Sequence, residues 1–151
     1  MRFYKDTMIK VMVFGTFDGL HPGHLDFFRQ AKVYGDYLIV VVARDLNVKK
    51  YKGQRPQFNE NARLKAVKKS PLVNRAALGY LTNRFKIIKE LKPEVVCLGY
   101  DQKMDLDELR GKLAELKIKA AVHRLQPFQP EKYKSSLLRN DKLNGAKLVH
   151  K

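Results

Sequence analysis

The sequence predicts an α/β fold: a three-layer sandwich in which helices cover both faces of a five-stranded parallel sheet. Three observations carry that prediction. Short apolar runs alternate along the chain with amphipathic stretches at helical spacing. The run at 37–43, YLIVVVA, is apolar continuously rather than alternately, the pattern of a strand covered on both faces. The runs at 9–14, 37–43 and 94–98 each give way to a short turn, at Gly15, Ala43-Arg44 and Gly99. In open parallel sheets such turns leave the carboxyl ends of strands, where ligands bind.

Each element follows from local chemistry. Residues 1–7 form a polar lead. The first strand, 9–14, is rich in Ile, Val, Met and Phe. The first helix spans about 22–34, with Leu25, Phe28 and Ala31 on one face and Phe27 and Tyr34 extending it. Pro22 suits a helix start, because its missing N–H would have no intrahelical partner there. Gly35 reads as a left-handed cap. The second strand is 37–43. A basic, irregular loop covers 44–58, with Gly53 and Pro56 as breakers. The second helix spans 59–69, capped by Asn59 or Asn61 and stopped by Pro71. A short third strand at 75–78 precedes Gly79. The third helix is 83–91, with Phe85, Ile88 and Leu91 at helical spacing, and Lys92-Pro93 breaks it. The fourth strand, 94–98, ends at Gly99. The fourth helix spans 106–116 on a stripe of Leu106, Leu109, Leu113 and Leu116, with Asp105 as its cap. A fifth strand covers 120–125. A Pro-containing loop at 126–134 leads to a last helix starting near Ser135.

Composition bounds the function. The 151 residues suit one domain, with about 140–151 as a flexible basic tail. No apolar run reaches membrane-spanning length, so no membrane partner is expected. The N-terminus lacks the apolar region of a signal peptide. The one cysteine, Cys97, lies in an apolar run and cannot form an internal disulfide, which favours the cytoplasm. The net charge of +16 raises the local concentration of polyanions. It also makes salt-sensitive, non-specific nucleic-acid affinity an expectation. The basic residues are scattered, however, and no RNA-binding aromatic signature or zinc-finger spacing accompanies them.

The stretch that organises the chain is VMVFGTFDGLHPGH, residues 11–24. A glycine turn followed by a helix start is a ready anion site, because the first N–H groups and the positive end of the helix dipole face outward. His21 and His24, three residues apart, share the first helical turn and add donors for phosphate oxygens. No Ser-His-Asp or Cys-His nucleophile is evident.

GTFDGLHPGH resembles the GTFDxxHxGH signature of the nucleotidyltransferases related to glycerol-3-phosphate cytidylyltransferase, within the wider HxGH superfamily. VARDLNVKKYKGQRP and LGYDQ resemble most the archaeal-type FAD synthases of that family, which adenylylate FMN. The similarity runs from about residue 9 to about 139. It implies a Rossmann-like fold and transfer of a nucleoside monophosphate from a triphosphate, with release of pyrophosphate. ATP and FMN are the favoured substrates, with Mg²⁺ or another divalent cation accompanying the triphosphate. CTP with glycerol 3-phosphate, or another phosphorylated alcohol or sugar, is the alternative. A basic nucleic-acid-binding protein that keeps the fold without catalysis is the reading from another class. Relatives commonly form dimers, so a homodimer is also expected.

The resemblance assigns roles residue by residue. His21 and His24 bind triphosphate oxygens and stabilise the transition state. Gly15, Thr16 and Phe17 form the turn against the nucleotide. Asp18 either binds metal or acceptor, or braces the loop. A phosphate-contacting lysine lies among Lys49, Lys50 and Lys52, with Lys52 first choice and Lys49 second. Arg63 reaches phosphate from the neighbouring helix. Gly99 and Asp101 lie near base and ribose. Tyr100, where relatives often have proline, stacks on a ring or covers the sheet edge. Ser135 and Ser136 fit the C-terminal serine/threonine motif at the β- and γ-phosphates. No protein metal ligand is assigned.

Overall fold

The structure is a computed structural model that describes residues 8–128. Within them run β1 (Lys10–Gly15), α1 (Pro22–Lys32), β2 (Tyr37–Val42), α2 (Asp45–Lys52), α3 (Glu60–Lys68), β3 (Arg75–Leu78), α4 (Arg84–Leu91), β4 (Val95–Leu98), α5 (Leu106–Glu115) and β5 (Ala121–Arg124). The sheet is parallel throughout, in the order β3-β2-β1-β4-β5. The α/β class, the five strands and the helix-covered faces are as expected. The expected lead at 1–7, the last helix with Ser135 and Ser136, and the tail at 140–151 lie outside the described residues.

Alternate positions on each strand feed two cores, as the pleat requires. Val11 and Val13 join Leu38, Val40 and Val42 under α1 and α3, where Phe28, Ala31 and Val67 are buried. Met12, Ile39 and Val41 face the opposite way, onto Ile87 and Ile88 of α4 and Leu109 and Leu113 of α5. This is why 37–43 reads as continuous apolar sequence: β2 is covered on both sides, and Leu38 through Val42 are all buried. Cys97 is fully buried in the first of these cores. Burial pushes its thiol pKa up to about 12, which leaves it an inert small hydrophobe.

Asn59, Asn83 and Asp105 cap α3, α4 and α5 through their side chains, so the second and third helices start one residue later than their predicted 59 and 83. Two expectations fail. The basic stretch at 44–58 is not all loop, because Asp45–Lys52 is a two-turn helix that Gly53 ends in a left-handed conformation, φ 82°. Lys49, Lys50 and Lys52 therefore stand on a helix. And Gly35 is not the cap of α1, which ends at Val33 in right-handed geometry. Gly35 is small for a different reason: a Cβ there would lie 2.6 Å from Val11 and 2.7 Å from the Ile9 carbonyl oxygen.

The chain builds outward from β1 to β2 and β3, then crosses back to β4 and β5. The loops after β1 and β4 thus leave adjacent strands in opposite directions and open a crevice between them at the carboxyl edge.

Candidate active site

The turn after β1 is held tightly. Phe17 has φ 55°, a left-handed conformation that is uncommon and costly for a bulky residue. Burial of its ring offsets that cost. The ring packs edge-on to His24 at 5.3 Å and against Phe27 and Phe28. It also covers Gly15, where a Cβ would come within 2.5 Å of it. Phe17 thus contributes its side chain to the core and only its backbone to the turn. Thr16 is half-buried beside it.

His21 is the N-cap of α1, and the two histidines form a reciprocal capping box. His21 Nδ1 accepts from the Gly23 N–H at 3.1 Å, and His24 Nδ1 accepts a weaker bond from the His21 N–H at 3.4 Å. The rings stack at 3.8 Å. Gly23 permits this, since a Cβ there would meet the His21 ring at 2.8 Å. Here the structure corrects a simple expectation. The first-turn amides of α1 do not point outward unpaired: Gly23 N–H is taken by the imidazole, and the His24 and Leu25 N–H groups both donate to the His21 carbonyl. Each Nδ1 is committed to the α1 cap, and the His24 ring makes a further hydrogen bond with the Gly19 backbone. A neutral ring whose Nδ1 accepts a hydrogen bond carries its proton on Nε2.

Burial, then the charges of His21 and Lys52, push the His24 pKa down to about 4 against an opposing backbone hydrogen bond with Gly19. His24 is therefore neutral near pH 7. Lys52, exposed on α2, acts electrostatically on Asp18 as well. Of the three lysines considered from sequence, Lys52 is thereby placed toward the histidines. Lys49 and Lys50 are exposed on the same helix.

Asp18 braces rather than faces outward: its two oxygens accept from the Gln57 and Phe58 N–H groups at 2.7 and 2.8 Å. Burial alone would raise its pKa, but these two bonds and the charges of Arg63 and Lys52 hold it below the usual carboxylate value.

Arg63 was expected to reach phosphate, and the structure places it elsewhere. Its side chain is wholly buried. Nε donates to the Phe58 carbonyl at 2.9 Å, Nη1 to the Thr16 carbonyl at 2.8 Å, and Nη2 to Asp45 Oδ1 at 2.7 Å. One guanidinium thus ties the β1 turn to the starts of α2 and α3. The Asp45 arm comes with the α2 helix, which no apolar stripe in the sequence marks.

Across the crevice, Gly99 is buried at the end of β4, while Tyr100 and Asp101 are exposed. Gln102 and Arg124, which sequence reasoning passed over, shape this loop. Beside α2 and α3, an open cleft of about 420 Å³ is lined by Arg44, Arg55, Leu46 and Leu81 among others. Among the described residues, no three His, Cys, Asp or Glu side chains gather to hold a metal, and no helix is long and apolar enough to cross a membrane.

The Cytidylyltransferase-like family profile matches residues 12–141. The FAD synthase of Thermoplasma acidophilum is 39% identical over 132 residues, 87% of this chain and 92% of that one. The FAD synthase of Methanothrix thermoacetophila is 43% identical over 126 residues, 83% of this chain and 87% of that one. Among solved structures, the lipopolysaccharide core biosynthesis protein of Thermoplasma volcanium is 41% identical with a TM-score of 0.77, covering 81% of this chain and 99% of that one.

Proposed function

The chain belongs to the cytidylyltransferase-like family, and from that membership we propose that it is an FMN adenylyltransferase, an FAD synthase. A phosphate oxygen of FMN attacks the α-phosphorus of ATP. A new P–O bond forms as the bond to the leaving pyrophosphate breaks, and both products remain anions. Such a reaction needs alignment and charge neutralisation more than a side-chain nucleophile.

The observation that carries this reading is the stacked imidazole pair with both Nδ1 atoms committed to the α1 cap. That commitment supports an Nε2–H donor on His21 for a phosphate oxygen, with the His24 donor joining it by exchanging its bond to the Gly19 backbone for a second phosphate oxygen. Fixed donors need no reorganisation as charge develops, which is the condition for strong transition-state stabilisation. In this account Lys52 neutralises the triphosphate from α2, with Lys49 beside it. Gly15, Thr16 and the Phe17 backbone line the phosphate end, and Gly99 and Asp101 line the nucleoside end. Arg63 acts as a positioning residue for Thr16. Ser135 and Ser136 remain assigned to the β- and γ-phosphates by resemblance. A divalent cation such as Mg²⁺ enters with the nucleotide substrate. A cytoplasmic setting, a homodimer and weak nucleic-acid affinity accompany this reading.

The acceptor choice rests on the relatives named FAD synthase. The cytidylyltransferase-like family match keeps CTP, with glycerol 3-phosphate or another phosphorylated alcohol or sugar, as the second reading. Purified protein incubated with Mg²⁺, ATP and FMN is expected to release pyrophosphate and form FAD. CTP with glycerol 3-phosphate or a sugar phosphate is expected to give little. Turnover only in the second set would overturn the acceptor assignment.

A further inference from the structure

The backbone ladder between β1 and β4 stops early. It pairs Val11 with Val95, Met12 with Val96 and Val13 with Cys97, and goes no further, although β1 runs on to Gly15. One step beyond, the Gln102 side-chain amide takes the place of the ladder. Its Oε1 accepts from the Gly99 N–H and its Nε2 donates to the Phe14 carbonyl, each at 2.8 Å. A side chain inserted between two strand ends holds them further apart than direct backbone pairing would. Both polar ends of the amide are matched, so the wedge is fixed in orientation as well as position.

A second clamp acts on the same loop from β5. Arg124 Nη1 donates to the Gly99 and Gln102 carbonyls at 2.9 and 2.7 Å, and Nη2 donates to the Met104 carbonyl at 2.6 Å. One planar cation thus gathers carbonyls from both ends and the middle of the loop. The loop cannot move relative to β5 without breaking charge-assisted bonds. Tyr100 and Asp101 are left exposed at its tip.

We propose that Gln102 and Arg124 are positioning residues for the nucleotide: Gln102 sets the width of the crevice between β1 and β4, and Arg124 fixes the loop that forms its nucleoside wall. Phe14, which Gln102 grips, directly precedes the Gly15 turn. The amide therefore sets the spacing between the phosphate end and the nucleoside end of one bound ligand. This deepens the adenylyltransferase reading and rests on it for the identity of the nucleotide.

The test compares Gln102→Glu, Gln102→Met and Arg124→Lys with the wild type. Glutamate keeps the acceptor for Gly99 but replaces the donor to Phe14, methionine removes both, and lysine keeps the charge but cannot span three carbonyls. Dissociation constants for a non-hydrolysable ATP analogue are measured directly, beside KM for ATP and FMN, kcat and Tm. The expected result is a rise of about tenfold in the analogue's Kd and the ATP KM, with the FMN KM and kcat little changed. Unchanged analogue binding in all three variants would overturn the inference. So would a parallel rise in both KM values that merely tracks a falling Tm, the mark of a structural role alone. A wild type that binds the analogue yet makes no FAD counts against the acceptor assignment, and the binding ratios still decide this inference.

Discussion

The histidine pair and Arg63 both touch the turn after β1 and are built in opposite ways. Both carry cationic or donor groups that the family resemblance points at phosphate. His21 is exposed and His24 half-buried, and each turns one ring nitrogen into the α1 cap. That arrangement fixes both rings; His24 also bonds the Gly19 backbone, so His21 keeps more of its ring capacity uncommitted. Arg63 is buried, and all three of its guanidinium nitrogens donate to this protein. The difference teaches that membership of a motif does not separate groups that touch substrate from groups that hold such groups in place. What separates them is where the remaining hydrogen-bonding capacity goes.

The sharpest break of this comparison is the double variant His21→Ala/His24→Ala. Loss of two donors to a developing oxyanion is expected to lower kcat by about a thousandfold or more. Loss of the cap costs only about 1–2 kcal/mol of stability. Pyrophosphate release and a thermal melt check the two halves together, and near-normal turnover in a folded double variant would remove the histidines from the chemistry. Arg63→Ala is expected to act first on stability, and on turnover only through the Thr16 turn it holds. It leaves Asp45 without its ion pair and two carbonyls without a donor, a loss of about 3 kcal/mol in stability. Were Arg63 a phosphate ligand instead, chemical denaturation would show little change while kcat collapsed.

Lys52→Ala sharpens the comparison from a third side, since of the three α2 lysines it is Lys52 whose charge acts on His24 and Asp18. The ATP KM is expected to rise about tenfold with Tm unchanged, whereas Lys50→Ala shifts it little. Equal effects of the two would dissolve the distinction. The smallest effect is on pH dependence. His24 has a pKa of about 4 in the fold against an ordinary 6.5, so on acidification the unfolded chain takes up its proton first. The stability tied to neutral His24 is complete above about pH 6.5 and is lost as pH falls toward 4. Asp18, held low, loses its contribution in the window below that. A plot of Tm against pH for His24→Asn should therefore be shallower than the wild type between pH 6.5 and 4, and parallel curves would contradict a buried, neutral His24.

Much of the fold was legible because burial writes itself into composition. β2 is covered on both faces and so is apolar at every position, and the leucine stripe of α5 matches its buried Leu109 and Leu113. The α2 helix was not legible because it buries almost nothing. Val48 is its one buried residue, and no amphipathic stripe marks it. Its signals were the acidic Asp45 in the first turn and Gly53 just past the end. Within the site, the histidines were legible from spacing, because residues three apart at a helix start lie on one side of it. Gln102, Arg124 and Asp45 were not, since their roles join residues far apart in the chain. Gln102 grips Phe14 across 88 positions, and no local pattern records such a bond.

The most direct test of the central claim is a crystal structure with a non-hydrolysable ATP analogue and Mg²⁺. The account predicts triphosphate oxygens within hydrogen-bonding distance of Nε2 of His21 and of His24, with Lys52 alongside and the Arg63 guanidinium still bound to Thr16, Phe58 and Asp45. A triphosphate seated away from α1, or one contacted by Arg63 after those three bonds had opened, would contradict it.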